Sequence, residues 1–211
     1  MSVHELQMPV ISDGTRIAYG GDQEWCRNAW YRRSGCGPTT AVNLCAWYAS
    51  HCPAMRPLYA GNTEPFSREE YTDQIEELFR FITPGFMGFP YAEKFVTHFL
   101  MYARSRSVQM TGACCDKNAS AEQMFDFVRC GIDTGNPVPL LILHHRAKAL
   151  SDDQWHWITV SGYTDGTDGR QLIASNCGER ELWPADLMFE QHPRNAVRIL
   201  RFAPVACRLS V

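Results

Sequence analysis

Apolar residues in this chain are spaced in two ways. Up to about residue 136 they recur every three or four positions, the period of a helix with one buried face. Val42, Cys45, Ala46 and Ala49 mark a helix from about Pro38 to Ser50. Pro38 suits its first turn, where a missing N–H is no loss, and Gly37 can cap it. A second helix is expected in "FSREEYTDQIEELFRFITPG", opened by a Ser67–Glu70 capping box and stopped by Pro84-Gly85. A third falls in "YAEKFVTHFLMYARSRS", with Phe95, Phe99 and Tyr102 on one side. A fourth falls in "SAEQMFDFVRCGIDTGN", with Ser120 as cap and Gln123 at the box position.

Beyond that point β-branched and aromatic runs alternate with turn residues. "VPLLILHH", "WHWITVSGYT", "RQLIASNC" and "AVRILRFAPV" read as strands, and "PADLMFEQ" as a short helix before the last. Two shorter strands are expected earlier, "VQMTGACC" and, after a turn, "SDGTRIAYGG". Helices followed by an antiparallel sheet predict an α+β fold, with an N-terminal helical part packed on a C-terminal sheet. No repeat or linker divides the chain, so residues 1–211 are expected to form a single domain.

Composition narrows the function classes. The chain is 45% hydrophobic and 20% charged, with a formal net charge of −3, which gives no general basic field for nucleic acid or an anionic membrane. No apolar stretch approaches the roughly 20 residues of a membrane span. The N-terminus lacks the basic segment and apolar run of a secretory signal, so a cytoplasmic location is expected. Nine cysteines is an odd count without any CxxC pair. Neither a disulfide scaffold nor a zinc ribbon is expected, and no metal or other cofactor. Cys114–Cys115 and His144–His145 are adjacent, and strand neighbours point to opposite faces.

One cysteine stands apart. Cys36, in "RRSGCGPTTAVNLCAWYASH", lies between Gly35 and Gly37 at the start of the first expected helix. A helix N-terminus favours a thiolate, and flanking glycines leave room for a substrate backbone. Attack on an amide also needs an acid for the departing amine, and histidine oriented by a third polar group is the usual partner. His156 opens a strand, and folding the hairpin about Gly166 and Thr167 lays it opposite Asn176 or Cys177. For the oxyanion, the Cys36 N–H is one donor; Gln23, or else Asn28, is the other. Trp155 and Trp157 flank the histidine and are candidates to line a substrate groove.

"SGCGPTTAVNL", "HWITVSGYT" and "IASN" resemble the papain-like cysteine peptidases related to the double-glycine leader peptidases that process bacteriocin precursors. The resemblance implies a papain-like fold, Cys36, His156 and Asn176 as catalytic residues, Gln23 as oxyanion donor, and a peptide or protein substrate. Two positions depart from those relatives. Asn176 stands where they more often carry Asp, and Trp30 occupies the place of their glutamine. Acyl transfer or deamidation on the same scaffold is the nearest alternative. A peptidase fold retired to binding, with Trp25, Trp30, Tyr31, Trp155 and Trp157 as its groove, is another; a redox or zinc protein is a third.

Overall fold

The structure is a computed structural model, and it describes residues 2–12, 16–86, 88–167 and 169–205. In chain order the strands and helices are β1 (Ser2–Glu5), β2 (Val10–Ser12), β3 (Ile17–Tyr19), α1 (Ala29–Ser34), α2 (Cys36–His51), β4 (Phe66–Ser67), α3 (Arg68–Leu78), α4 (Ala92–Ser105), β5 (Met110–Cys114), α5 (Ala121–Asp133), β6 (Val138–His144), β7 (His156–Asp165), β8 (Gln171–Asn176), β9 (Glu179–Pro184), α6 (Ala185–Met188) and β10 (Ala196–Pro204).

A seven-stranded antiparallel sheet runs β5-β10-β6-β7-β8-β9, with β1 paired to the far half of β7. Along β6, and along β7 as far as Val160, the side chains divide by alternation. Leu141 and Trp157 join a core with α2, α3 and α4; Leu140, Ile142, Ile158 and Val160 join a second core with α5 and α6. The sheet is therefore covered on both faces, which is why "VPLLIL" reads as one apolar run and not as an alternation.

Capping chemistry fixes the helix starts where the sequence places them. Ser67 accepts from the Glu70 N–H at α3, and at α5 Ser120 and Gln123 form both halves of a capping box. α3 stops earlier than Pro84-Gly85 implies, at Leu78. The expected turn before β3 falls on residues 13–15, outside the described residues, and the Gly166–Thr167 turn adjoins residue 168, also outside them. The sequence reading missed β1, β2, β4, α1 and β9; β9 is an edge strand whose first three residues, Glu179, Arg180 and Glu181, are charged. Among the described residues, no helix is long and apolar enough to cross a membrane.

Candidate active site

Gly35 closes α1 and opens α2, so Cys36 is the first residue of a sixteen-residue helix with no acidic side chain in its first turn. A Cβ at position 35 would lie 2.5 Å from the Tyr31 carbonyl oxygen and 3.2 Å from Gln23 Cβ. Only glycine lets the two helices join so tightly with Gln23 beside them. The free N–H groups and positive pole of α2 point at the sulfur. Cys36 is 7% exposed, and its Sγ–H reaches the Trp155 carbonyl at 3.9 Å. Beside it lies a cavity of about 10 Å³, walled by Gln23, Thr39, His156 and Cys177 among others, with room for about one water-sized group.

His156 opens β7 and Asn176 ends β8, but not in the register expected. The ladder shifts between Val160 and Gly162, and the pair nearest the site is Thr159 with Ser175. His156 and Asn176 both lie beyond that pair, and they meet across the open end of the hairpin. His156 Nε2–H donates to Asn176 Oδ1 at 2.7 Å. Among described non-glycine residues, only Ser107, Trp155 and Cys177 have positive φ, and the last two adjoin His156 and Asn176. Strained backbone is thus concentrated at this joint, as it is at many functional sites.

Electrostatics separate Cys36 from the other thiols. Burial pushes Cys26 up to about 12 and also raises Cys45, Cys114 and Cys115. Burial pushes Cys36 up as well, but its hydrogen bond and charge interaction with His156 outweigh that, aided by the backbone of Trp157 and Gly37, and the thiol ends below its ordinary value. Burial pulls His156 down, while Cys177 and Cys36 hydrogen-bond it and hold it well above the usual histidine value. The two shifts favour the same state, a thiolate facing an imidazolium.

Gln23 reaches the cavity from a short 3₁₀ turn capped by Asp22, whose Oδ1 accepts from the Glu24 N–H at 2.9 Å. Its Nε2 donates one hydrogen to the Arg32 carbonyl at 2.7 Å, and its Oε1 is buried without a partner. Asn28 does not reach the site: it is exposed, and its Oδ1 caps α1 by accepting from the Trp30 N–H. Trp155, 39% exposed, adjoins the site through its carbonyl at the Cys36 sulfur.

Two expectations are corrected. Trp157 is not a groove residue: it is 2% exposed, packs on Phe95 and donates its indole N–H to the Phe89 carbonyl at 2.7 Å, so only its edge meets the cavity. Neither Gly35 nor Gly37 offers room to a substrate: a Cβ at 35 would meet the Tyr31 carbonyl oxygen at 2.5 Å, and one at 37 would touch Ile82, Phe89 and Trp157 at 3.4–3.5 Å. Of the aromatic groove proper, Trp25 packs edge-on against Tyr71, and Tyr31 stacks on Phe79. The eight described cysteines are free thiols, and Cys207 lies outside the described residues.

Asn43 was missed. Its Oδ1 accepts from the Gly21 N–H (2.8 Å) and the Tyr71 hydroxyl (2.7 Å), and its Nδ2 donates to Thr159 Oγ1 (3.0 Å) and Ser175 Oγ (3.3 Å). One buried carboxamide thereby ties the Cys36 helix to both strands of the hairpin and to the segment that carries Gln23. A lone polar residue inside an apolar helical run was the available signal.

No protein-family model matches this sequence, and no curated protein does. The resemblance to double-glycine leader peptidases therefore gains no support from sequence families. A solved structure of the Pseudomonas avirulence protein AvrPphB aligns with 84% of this chain and 96% of its own, at 10% identity and a TM-score of 0.37. A likeness of that size carries no weight, and the site rests on its own geometry.

Proposed function

We propose that this chain is a cysteine peptidase or closely related amide hydrolase, with a papain-like arrangement in a single domain. The observation that carries the reading is the linked set of Cys36 at a helix N-terminus, His156 beside it, and Asn176 Oδ1 at 2.7 Å from the far ring nitrogen. With Nε2 committed to Asn176, Nδ1 is left for the sulfur. The Cys36 thiolate attacks the carbonyl carbon of a peptide or related amide, and the carbonyl oxygen takes up the negative charge. The Cys36 N–H and the second N–H of Gln23 Nε2 receive that charge in the small cavity. His156 then gives its proton to the departing amine, leaving a thioester. A water molecule deprotonated by His156 attacks the thioester, and the carboxylic acid leaves as the thiolate re-forms. Asn176 holds the ring throughout, and Trp155 meets the substrate at the rim. No step calls for a metal or an organic cofactor.

The test is a peptide-library digest by the wild-type protein and by Cys36→Ala. Products from the wild type alone, with melting temperatures within a degree or two of each other, are expected. Equal cleavage by both proteins, or none by either with Cys36 no more readily alkylated than the other thiols, would overturn the assignment.

A further inference from the structure

The Asn176 carboxamide has three side-chain partners, and their chemistry dictates which way it faces. Oδ1 is 2.7 Å from His156 Nε2; Nδ2 is 3.1 Å from Glu181 Oε2 and 3.4 Å from Asp153 Oδ1. An ionised carboxylate only accepts hydrogen bonds. The amide's NH2 end must therefore turn toward the two acids, and its oxygen toward the ring. A ring nitrogen facing that oxygen must carry a proton, which leaves the other nitrogen for the sulfur. Orientation of the amide thus fixes the histidine tautomer, and the acids fix the amide.

The two acids are not equivalent. Glu181 is on β9, in the ladder with β8, and its Oε2 also accepts the Trp183 indole N–H at 2.7 Å. That indole is 7% exposed and can only donate, so it holds the carboxylate in place. Asp153 makes the longer contact, from the segment before β7. Burial pushes its carboxyl up, against the pull of His156 and Asn176.

We propose that Glu181 is a positioning residue of this site: through Asn176 it orients the carboxamide and supplies, one residue further out, the negative charge that an aspartate at position 176 would supply directly. The inference rests on the catalytic reading of Cys36 and His156. The groups that bear on the imidazole are Cys36 from α2, Cys177 from the β8–β9 turn, Asp153 with its neighbour Asp152, and Glu181 through Asn176. Glu181 is the member of this set fixed by a buried donor.

The test follows Cys36 alkylation by iodoacetamide across pH in the wild type, Glu181→Gln, Asn176→Asp and the double variant Asn176→Asp/Glu181→Gln. Glutamine keeps the size of Glu181 and an acceptor for Trp183, but it lacks the charge and can face Asn176 with either end. Its neutral-pH plateau is expected to fall several-fold, and the rise that marks loss of the His156 proton to move down by roughly half to one pH unit. Asn176→Asp sets two carboxylates at the 3.1 Å contact, and its plateau is expected to fall roughly tenfold, the equivalent of one pKa unit. The double variant restores a donor–acceptor pair with one negative charge, and most of the rate should return. A role confined to stability would lower the melting temperature of Glu181→Gln without that rescue. If wild-type Cys36 shows no privileged alkylation, the catalytic reading fails. If it does, and Glu181→Gln matches it or the double variant is no better than Asn176→Asp, the role of Glu181 alone fails.

Discussion

Gln23 Nε2 spends one of its two hydrogens on the Arg32 carbonyl and keeps the other, Thr39 Oγ1 is buried without a hydrogen-bond partner, and both residues wall the cavity beside Cys36. Unpaired buried polar atoms are uncommon and mark places where a polar guest belongs. A cavity of about 10 Å³ admits a carbonyl oxygen and little else. Gln23→Ala should therefore lower kcat by about 10²–10³-fold, in line with loss of one oxyanion donor. Steady-state kinetics would check this, with Cys36 alkylation unchanged because the donor acts on the oxyanion and not on the thiol. At this scale much was legible in the sequence. Cys36, His156, Asn176 and Gln23 carry chemistry that few other residue types supply; the structure brings Cys36, His156 and Gln23 to one small cavity, and Asn176 meets the histidine from outside its lining. Trp157 and Gly37 were misjudged because a residue beside a site can still point into the core, and one-dimensional adjacency does not say which. Glu181 was invisible because its role depends on a hairpin partner and a buried indole.

α2 shows how far an element can depart from its own pattern. Spacing marked one apolar face, yet every residue from Cys36 to Ala49 is buried. The helix runs between the sheet and α3; its Thr39 faces the cavity, while a buried carboxamide on it needs partners inside. Asn43 finds them with four hydrogen bonds. Asn43→Ala would leave Tyr71, Thr159, Ser175 and the Gly21 N–H with one partner fewer, costing about 2–4 kcal/mol. Thermal unfolding should show this as a fall of about 5–15 °C in Tm; a change under two degrees would mean that the network is not what joins helix and hairpin. Helix starts were readable from Ser67 and Ser120, because a capping side chain acts locally. The joint at Gly35 and the turn at Cys177-Gly178 were not, since each depends on how two elements meet. β9 was missed because an edge strand with charged residues lacks the apolar run that identifies a central one.

For the molecule as a whole, helices before and strands after described the composition of the fold but not its layering. The sheet has helices on both faces, and its seventh strand comes from the very N-terminus, Ser2–Glu5, paired with Gly162–Asp165. Four residues, mostly exposed, give no pattern from which that pairing could be read. The layering matters because α2 and the β7–β8 hairpin lie against each other, so that the N-terminus of one meets the open end of the other. The central claim is that this meeting makes Cys36 a thiolate paired with His156. The sign follows from the two shifts: Cys36 loses its proton below its ordinary value, His156 keeps its proton above its own, and between them the ion pair persists. The most direct measurement is the pH dependence of iodoacetamide labelling resolved cysteine by cysteine, on the wild type and on His156→Ala. Cys36 should be labelled ahead of the other thiols at neutral pH, with its inflection below the usual thiol range of about 8.5, and His156→Ala should move that inflection up and remove the advantage. Labelling of Cys36 with an ordinary inflection, or unaltered by loss of the imidazole, would contradict the account.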